Sequence, residues 1–110
     1  MKLNNIELPM KQIEAFCERW KISEFALFGS ILRDDFHSDS DIDVMVQFLP
    51  DSHNTLFDLV QMEDELKQIF NRDVDLVTRK GITNSQNYLR REAILNSARI
   101  IYESRSTVSS

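Results

Sequence analysis

The chain has 110 residues, of which 42% are hydrophobic and 28% charged, and its formal net charge is −5. This length accommodates one domain that can bury a core without disulfide or metal support, and the composition is typical of a soluble globular protein. The acidic balance disfavours direct binding to nucleic acid, and the absence of a long apolar run or a signal-peptide segment disfavours membrane association.

The first predicted element is a helix that begins near Leu8 and Pro9, because proline is favoured in the first turn of a helix. Apolar residues then recur at helical spacing, which gives the helix one buried face: Met10, Ile13, Phe16, Cys17 and Trp20. We interpret Cys17 as a core residue rather than a redox site. A single cysteine cannot form an internal disulfide, which fits a reducing cytoplasm.

Three strands are predicted next. The apolar run 24–28 indicates a buried strand that ends in a turn at Gly29. Residues 41–48 alternate strictly, so that one face is apolar (Ile42, Val44, Val46, Phe48) and the other carries Asp41, Asp43, Met45 and Gln47. Residues 73–78 repeat this pattern, with Val74 and Leu76 on the face opposite Asp73, Asp75 and Val77.

A long helix is predicted over 52–70, with one apolar stripe made of Leu56, Leu59, Val60, Leu66, Ile69 and Phe70. Gly81 is expected to break the chain, and a weaker helix over 85–96 and an edge strand over 99–103 follow. These elements predict an α+β fold, a mixed sheet of about four strands with helices packed on it. We expect one domain over residues 1–103 and a disordered tail over 104–110.

Two carboxylates stand two residues apart on the central predicted strand. Asp41 and Asp43 therefore share one face, with Cα atoms roughly 7 Å apart. Asp75 occupies the corresponding face of a later strand, so three carboxylates converge if the two strands are neighbours. Such a cluster attracts a cation, and oxygen ligands without a nearby His or Cys cluster favour Mg²⁺ or Mn²⁺ over zinc.

A Gly-Ser turn is predicted beside these acids. Gly29 lets the backbone approach a phosphate closely, and Ser30 can donate its hydroxyl and nearby N–H groups to that phosphate. A helix that begins at Ser30 would add the positive end of its dipole. A phosphate-binding turn next to a metal-binding carboxylate pair is what phosphoryl or nucleotidyl transfer requires.

The spacing of these residues matches a known signature. Gly29-Ser30, ten intervening residues and the Asp41-Ile42-Asp43 triplet, with Asp75 on a later strand, resemble the nucleotidyltransferase signature of the DNA polymerase beta superfamily. The resemblance extends from the first predicted strand to about Tyr102. The short chain is similar to the minimal nucleotidyltransferase branch, whose members are often antitoxins paired with HEPN-domain ribonuclease toxins.

The resemblance implies specific roles for six residues. Asp41 and Asp43 would bind two Mg²⁺ ions, and Asp75 would complete the site as a metal ligand or as the base for the incoming hydroxyl. Gly29 and Ser30 would hold the β- and γ-phosphates of ATP. The family commonly has a basic residue at the position of Arg33, where a phosphate contact and an ion pair with a nearby Asp both remain open; Asp34 stands where relatives often have glycine.

The resemblance also implies an activity and a partner. It implies a cytoplasmic type VII antitoxin, an adenylyltransferase that uses ATP and Mg²⁺ to AMPylate a tyrosine of a HEPN ribonuclease toxin. One alternative is a binding protein that neutralises its partner by covering it, since an acidic surface suits a basic partner. Another is small-molecule nucleotidyl transfer of the antibiotic-modifying kind, although such enzymes usually have a further helical domain. The remaining polar candidates are interpreted as solvated surface: His37, Asp39, His53, Arg79, Lys80 and Arg90.

Overall fold

A computed structural model describes residues 2–3, 6–32 and 41–104 of the chain. The strands are β1 (Lys2–Leu3), β2 (Ile6–Glu7), β3 (Ile22–Phe28), β4 (Ile42–Phe48), β5 (Val74–Thr78) and β6 (Arg99–Glu103). The helices are α1 (Met10–Arg19), α2 (Leu56–Phe70), α3 (Arg79–Thr83) and α4 (Tyr88–Ser97), and a single 3-10 turn covers Gly29–Leu32. The tail after Ser104 lies outside the described residues, so the boundary of the domain at residue 103 stays a prediction.

Four strands form the main sheet, in the order β5-β4-β3-β6. β3 is antiparallel to both of its neighbours, whereas β4 and β5 run parallel. The predicted mixed sheet of four strands in an α+β fold is thereby confirmed. The small antiparallel pair of β1 and β2 was not predicted from the sequence.

Each face of the sheet covers its own hydrophobic core. The larger core joins one face of β3 and β4 to α1 and α2 and includes Ile13, Phe16, Ile42, Val44 and Leu66. The smaller core joins the other face to α3 and α4 and includes Ala26, Phe28, Met45, Ile82 and Ile94. Residues 42–48 therefore divide between the two faces as their alternation predicts, and the face of Asp43 is the one that α3 and α4 cover.

Helix α2 begins at Leu56 rather than at residue 52, because a capping box fixes its start. The Asp58 N–H donates to Thr55 Oγ1 at 3.4 Å, and the Thr55 N–H donates to Asp58 Oδ2 at 3.0 Å. The helix ends at Phe70, and the next residue, Asn71, caps it with a left-handed backbone conformation (φ 58°). Each of these ends satisfies backbone groups that would otherwise lack an intrahelical partner.

The predicted apolar stripe of α2 is only partly correct. Met62 and Leu66 are fully buried, and Leu59, Ile69 and Phe70 pack around them. Leu56 and Val60, which were expected to face the core, are exposed instead. The helix buries one line of residues against the sheet, and a rotation of 100° per residue carries Leu56 and Val60 away from the line of Met62 and Leu66.

Gly81 does not break the chain, contrary to the prediction. It lies inside α3, whose start is stabilised by the Thr78 side chain, because the Gly81 N–H donates to Thr78 Oγ1 at 3.0 Å. The following helix, α4, starts at Tyr88 after the Asn87 cap, three residues later than predicted. Among the described residues, none of the helices combines the length and the hydrophobicity that a membrane span requires.

We expect Thr55→Ala to lower the free energy of unfolding by about 1 kcal/mol, because it removes the side-chain half of the capping box. Urea unfolding measures this effect, with Thr83→Ala, a change at an exposed threonine in α3, as the control. Equal midpoints for the two variants would contradict the role of the capping box.

Candidate active site

Asp43 stands at the centre of the candidate site. It lies on β4, where its Cα pairs with Phe28 of β3 on one side and with Asp75 of β5 on the other. Neighbouring strands are roughly 4.8 Å apart, and residues in register point to the same face. The sheet therefore brings Asp43 and Asp75 together on the face that α3 and α4 cover, as the alternation of the two strands predicts.

Gly29 lies directly against the carboxyl group of Asp43. It follows Phe28 and adopts a positive φ of 76°, a conformation that favours glycine. A Cβ atom added at Gly29 would overlap Asp43 Oδ2 and would lie 3.0 Å from Asp43 Cγ. The absence of a side chain is thus what allows the turn after β3 and the Asp43 carboxylate to occupy adjacent positions.

Asp41 lies just before β4 and is exposed. The next peptide group is fixed to the neighbouring strand, because the Ile42 N–H donates to the Asp73 carbonyl at 3.0 Å. Asp41 therefore lies two residues from Asp43, at the same end of the sheet as the turn at Gly29. The backbone of Ser30 belongs to the 3-10 turn, whereas Arg33, Asp34, His37 and Asp39 lie outside the described residues.

The three acids do not form a ready-made metal cage. Within residues 2–3, 6–32 and 41–104, no group of three or more His, Cys, Asp or Glu side chains is arranged to hold a metal ion. Mg²⁺ usually binds one or two carboxylates and completes its octahedral shell with water and substrate phosphates. The all-oxygen donor set of Asp41, Asp43 and Asp75, with Gly29 packed against the Asp43 carboxylate, fits such a metal ion.

The basic residues near the end of β5 do not belong to this group. Arg79 follows the last residue of β5, about 13 Å along the chain from Asp75. Its guanidinium donates to Glu24 Oε1 at 2.9 Å, and Lys80 and Arg90 are exposed. Their interpretation as solvated surface is consistent with this placement, as it is for the exposed His53.

A separate cavity of about 360 Å³ lies at the other end of the sheet, between α1 and β6. It is lined in part by Cys17, Ile22 and Tyr102, and Ile22 begins β3 whereas Phe28 ends it, roughly 20 Å away. Burial raises the pKa of the Cys17 thiol to about 12, so the thiol stays protonated at neutral pH. Burial also raises the pKa of Tyr102. Cys17 is a core residue, as predicted.

One polar contact beside the site could not be predicted from the sequence. The Leu76 N–H, on the peptide group that follows Asp75, donates to Glu63 Oε2 of α2 at 3.2 Å. Helical periodicity identifies Glu63 only as a charged residue between buried positions, and the pairing of a helix residue with a particular strand amide depends on tertiary packing.

Comparison with known proteins identifies relatives along most of the chain. A protein of Methanocaldococcus jannaschii named "Putative protein adenylyltransferase MJ1379" is 32% identical over 78 residues, which cover 71% of this chain and 78% of that protein. "Protein adenylyltransferase MntA" of Thermococcus cleftensis is 31% identical over 65 residues, or 59% of this chain and 64% of that protein.

The fold also matches solved structures. A crystal structure of a toxin-antitoxin with AMP-PNP superposes with a TM-score of 0.67 at 20% sequence identity, and the match covers 91% of this chain and 77% of that one. At this identity the likeness concerns the fold. The sequence model of the nucleotidyltransferase domain matches residues 9–101, which include Gly29, Asp41, Asp43 and Asp75. The chain belongs to the nucleotidyltransferase domain family.

Proposed function

We propose that the chain is a Mg²⁺-dependent adenylyltransferase that transfers AMP from ATP to a hydroxyl group of a partner protein. The observation that carries this proposal is the close approach of Gly29 to the carboxylate of Asp43, a residue in register with Asp75 on the next strand. Without a side chain at Gly29, the turn that would bind the phosphates lies next to the carboxylate that would bind the metal. Relatives named as protein adenylyltransferases support ATP as the substrate and a protein as the acceptor.

Each residue of the site has its own role in the proposed reaction. Asp41 and Asp43 would hold the metal ions, and Gly29 and Ser30 would hold the β- and γ-phosphates, with Arg33 as a further phosphate contact. Bound Mg²⁺ would supply neutralisation of the triphosphate charge and stabilisation of the leaving group. The acceptor oxygen forms a bond to the α-phosphorus, the bond from that phosphorus to the bridging oxygen breaks, and pyrophosphate leaves. Asp75 accepts the proton of the acceptor hydroxyl.

We further propose that the acceptor is a tyrosine of a HEPN-domain ribonuclease toxin, and that the chain is its antitoxin in a reducing cytoplasm. The fold shared with an antitoxin complex that contains AMP-PNP supports this assignment, as does the net charge of −5, because a ribonuclease surface that binds RNA is basic. Small-molecule transfer receives no comparable support from the named relatives.

Position-specific labelling of ATP tests the reaction. The chain, Mg²⁺ and the protein encoded by the adjacent gene are incubated with ATP labelled at either the α- or the γ-phosphate. We expect label on the partner only from the α-position, and only without a metal chelator. Label from the γ-position would indicate a kinase, and transfer that persists in excess chelator would contradict a metal-dependent reaction.

A second candidate function, neutralisation by binding alone, is favoured by a different observation. Leu56, Phe57 and Val60 are 79%, 85% and 62% exposed, and they adjoin one another on the first two turns of α2. We call these three residues the α2 patch. Exposed apolar residues in such a group are typical of protein contact sites.

We expect Leu56→Asp to weaken the complex with the partner by at least ~10-fold, because the loss of a well-placed interface residue has effects of this size. Leu89→Asp is a matched control, because Leu89 is also 79% exposed and also lies in the first turn of a helix, α4. Binding is measured by titration calorimetry with the protein from the adjacent gene. If both variants bind as tightly as the unmodified chain, the α2 patch is not the contact surface.

A further inference from the structure

Asp75 lies on an outer strand of the sheet. Among the described residues, β5 pairs only with β4, on which Asp43 lies. An outer strand has one row of backbone groups without a partner strand, and such strands separate from a sheet more readily than central ones. The position of Asp75 relative to Asp43 therefore depends on whatever holds the free side of β5.

Glu63 holds that free side next to Asp75. Its Oε2 accepts the Leu76 N–H at 3.2 Å, and this nitrogen belongs to the peptide group formed by the carbonyl of Asp75 and the amide of Leu76. Because a peptide group is planar, a hydrogen bond to its nitrogen also orients the Asp75 carbonyl carbon. The bond thus fixes the main chain on the C-terminal side of the candidate catalytic residue.

The surroundings of Glu63 keep this contact in place. Glu63 and Leu76 are both half-buried, and Leu76 packs against the core that includes Met62 and Leu66 of the same helix. Partial burial makes a hydrogen bond from an amide to a carboxylate stronger than it is in water. The neighbouring Asp64 is exposed, so it shares the charge of Glu63 but not its environment.

We propose that Glu63 is a positioning residue for nucleotidyl transfer, which anchors the Asp75–Leu76 peptide to α2 and so keeps the Asp75 carboxylate aligned with Asp43. The proposal rests on the proposed function, in which Asp75 takes part in the reaction. Glu63 itself touches neither substrate nor metal in this account, and its carboxylate acts only through the main chain of β5.

Three variants separate the possible roles of Glu63. Glu63→Met removes the acceptor but keeps an unbranched chain of similar length, Glu63→Gln retains an acceptor oxygen without the charge, and Asp64→Asn controls for the loss of one negative charge on α2. Hydrogen exchange of the Leu76 amide, measured by NMR, reports the contact directly. The kcat and KM for ATP report its effect on the reaction.

For Glu63→Met we expect exchange of the Leu76 amide to accelerate by at least ~10-fold, while the Val44 amide in central β4 keeps its rate. We expect kcat to fall by about 10-fold with KM for ATP unchanged within about 2-fold, because alignment in the reaction is lost rather than binding. Glu63→Gln should restore most of both properties, and Asp64→Asn should change neither.

Several outcomes would overturn the proposal. One is unchanged Leu76 exchange in Glu63→Met, and another is faster exchange with an unchanged kcat. A parallel acceleration of all β4 and β5 amides would indicate general destabilisation instead of positioning. The variant Asp75→Asn separates this failure from that of the proposed function: if Asp75→Asn transfers AMP at the full rate, the assignment of Asp75 is wrong and Glu63 has no catalytic group to position.

Discussion

Replacement of Asp43 by asparagine is expected to reduce nucleotidyl transfer by at least ~10³-fold, equivalent to about 4 kcal/mol of transition-state stabilisation. Asp43 lies between two other residues of the site. Gly29, in the turn after β3, packs against its carboxylate, and Asp75 pairs with it on the neighbouring strand β5. Asparagine keeps the shape of the side chain but removes the charge that binds a metal ion. Asp43 is the residue of β4 that pairs with Asp75, so its replacement removes the carboxylate that lies between that residue and Gly29.

The folded state of Asp43→Asn should remain nearly as stable as that of the unmodified chain, because asparagine fills the same space. Transfer is measured with ATP labelled at the α-phosphate, and stability by urea unfolding. Asp64→Asn is the matched control, since it removes one carboxylate charge from an exposed position on α2. Full activity of Asp43→Asn, or equal losses in both variants, would contradict a metal-binding role for Asp43.

Gly29→Ala is expected to impair both folding and transfer. The new Cβ would overlap Asp43 Oδ2 and approach Asp43 Cγ to 3.0 Å, and alanine rarely adopts the φ of 76° found at this position. The strained backbone alone costs on the order of 1–3 kcal/mol. Displacement of the Asp43 carboxylate adds a loss of activity that we expect to exceed ~100-fold, since small misplacements of reacting groups have effects of this size.

The second glycine of the chain provides the control for this variant. Gly81 lies in α3 without a positive φ, and an added Cβ would meet Thr78 Oγ1 at 3.0 Å, a side-chain atom that can shift. Gly81→Ala should therefore leave transfer unchanged and alter stability by less than about 1 kcal/mol, given the higher helix propensity of alanine. Equal unfolding free energies and equal transfer activities for the two variants would contradict a requirement for glycine at position 29.

The positions of Asp43 and Asp75 were largely predictable from the sequence, because strand periodicity and motif spacing both indicate where these residues lie. The alternation of residues 41–48 assigns Asp43 to the face opposite Val44, and the sheet has this arrangement. The proximity of Asp75 required one assumption, that its strand lies beside that of Asp43, and the parallel pairing of β4 with β5 meets it.

Other features depend on contacts between elements and were not predictable. Periodicity identifies an apolar stripe on α2 but does not reveal that the sheet covers Met62 and Leu66 while it leaves Leu56 and Val60 exposed. The sequence predicts a break in regular structure at Gly81, because glycine has low helix propensity. The Thr78 cap and the burial of Ile82 nevertheless stabilise α3 around it. The bond of Glu63 to the strand of Asp75 likewise arises only from packing.

The central claim is that this fold transfers AMP to a protein partner, and intact mass measurement tests it most directly. The purified chain is mixed with Mg²⁺, ATP and the protein encoded by the adjacent gene, with the Asp41→Asn/Asp43→Asn variant as the control. We predict that the mass of the partner increases by one or more AMP units with the unmodified chain and stays constant with the variant. A stable complex and a neutralised partner without any mass increase would contradict the claim and would favour a protein that acts by binding alone.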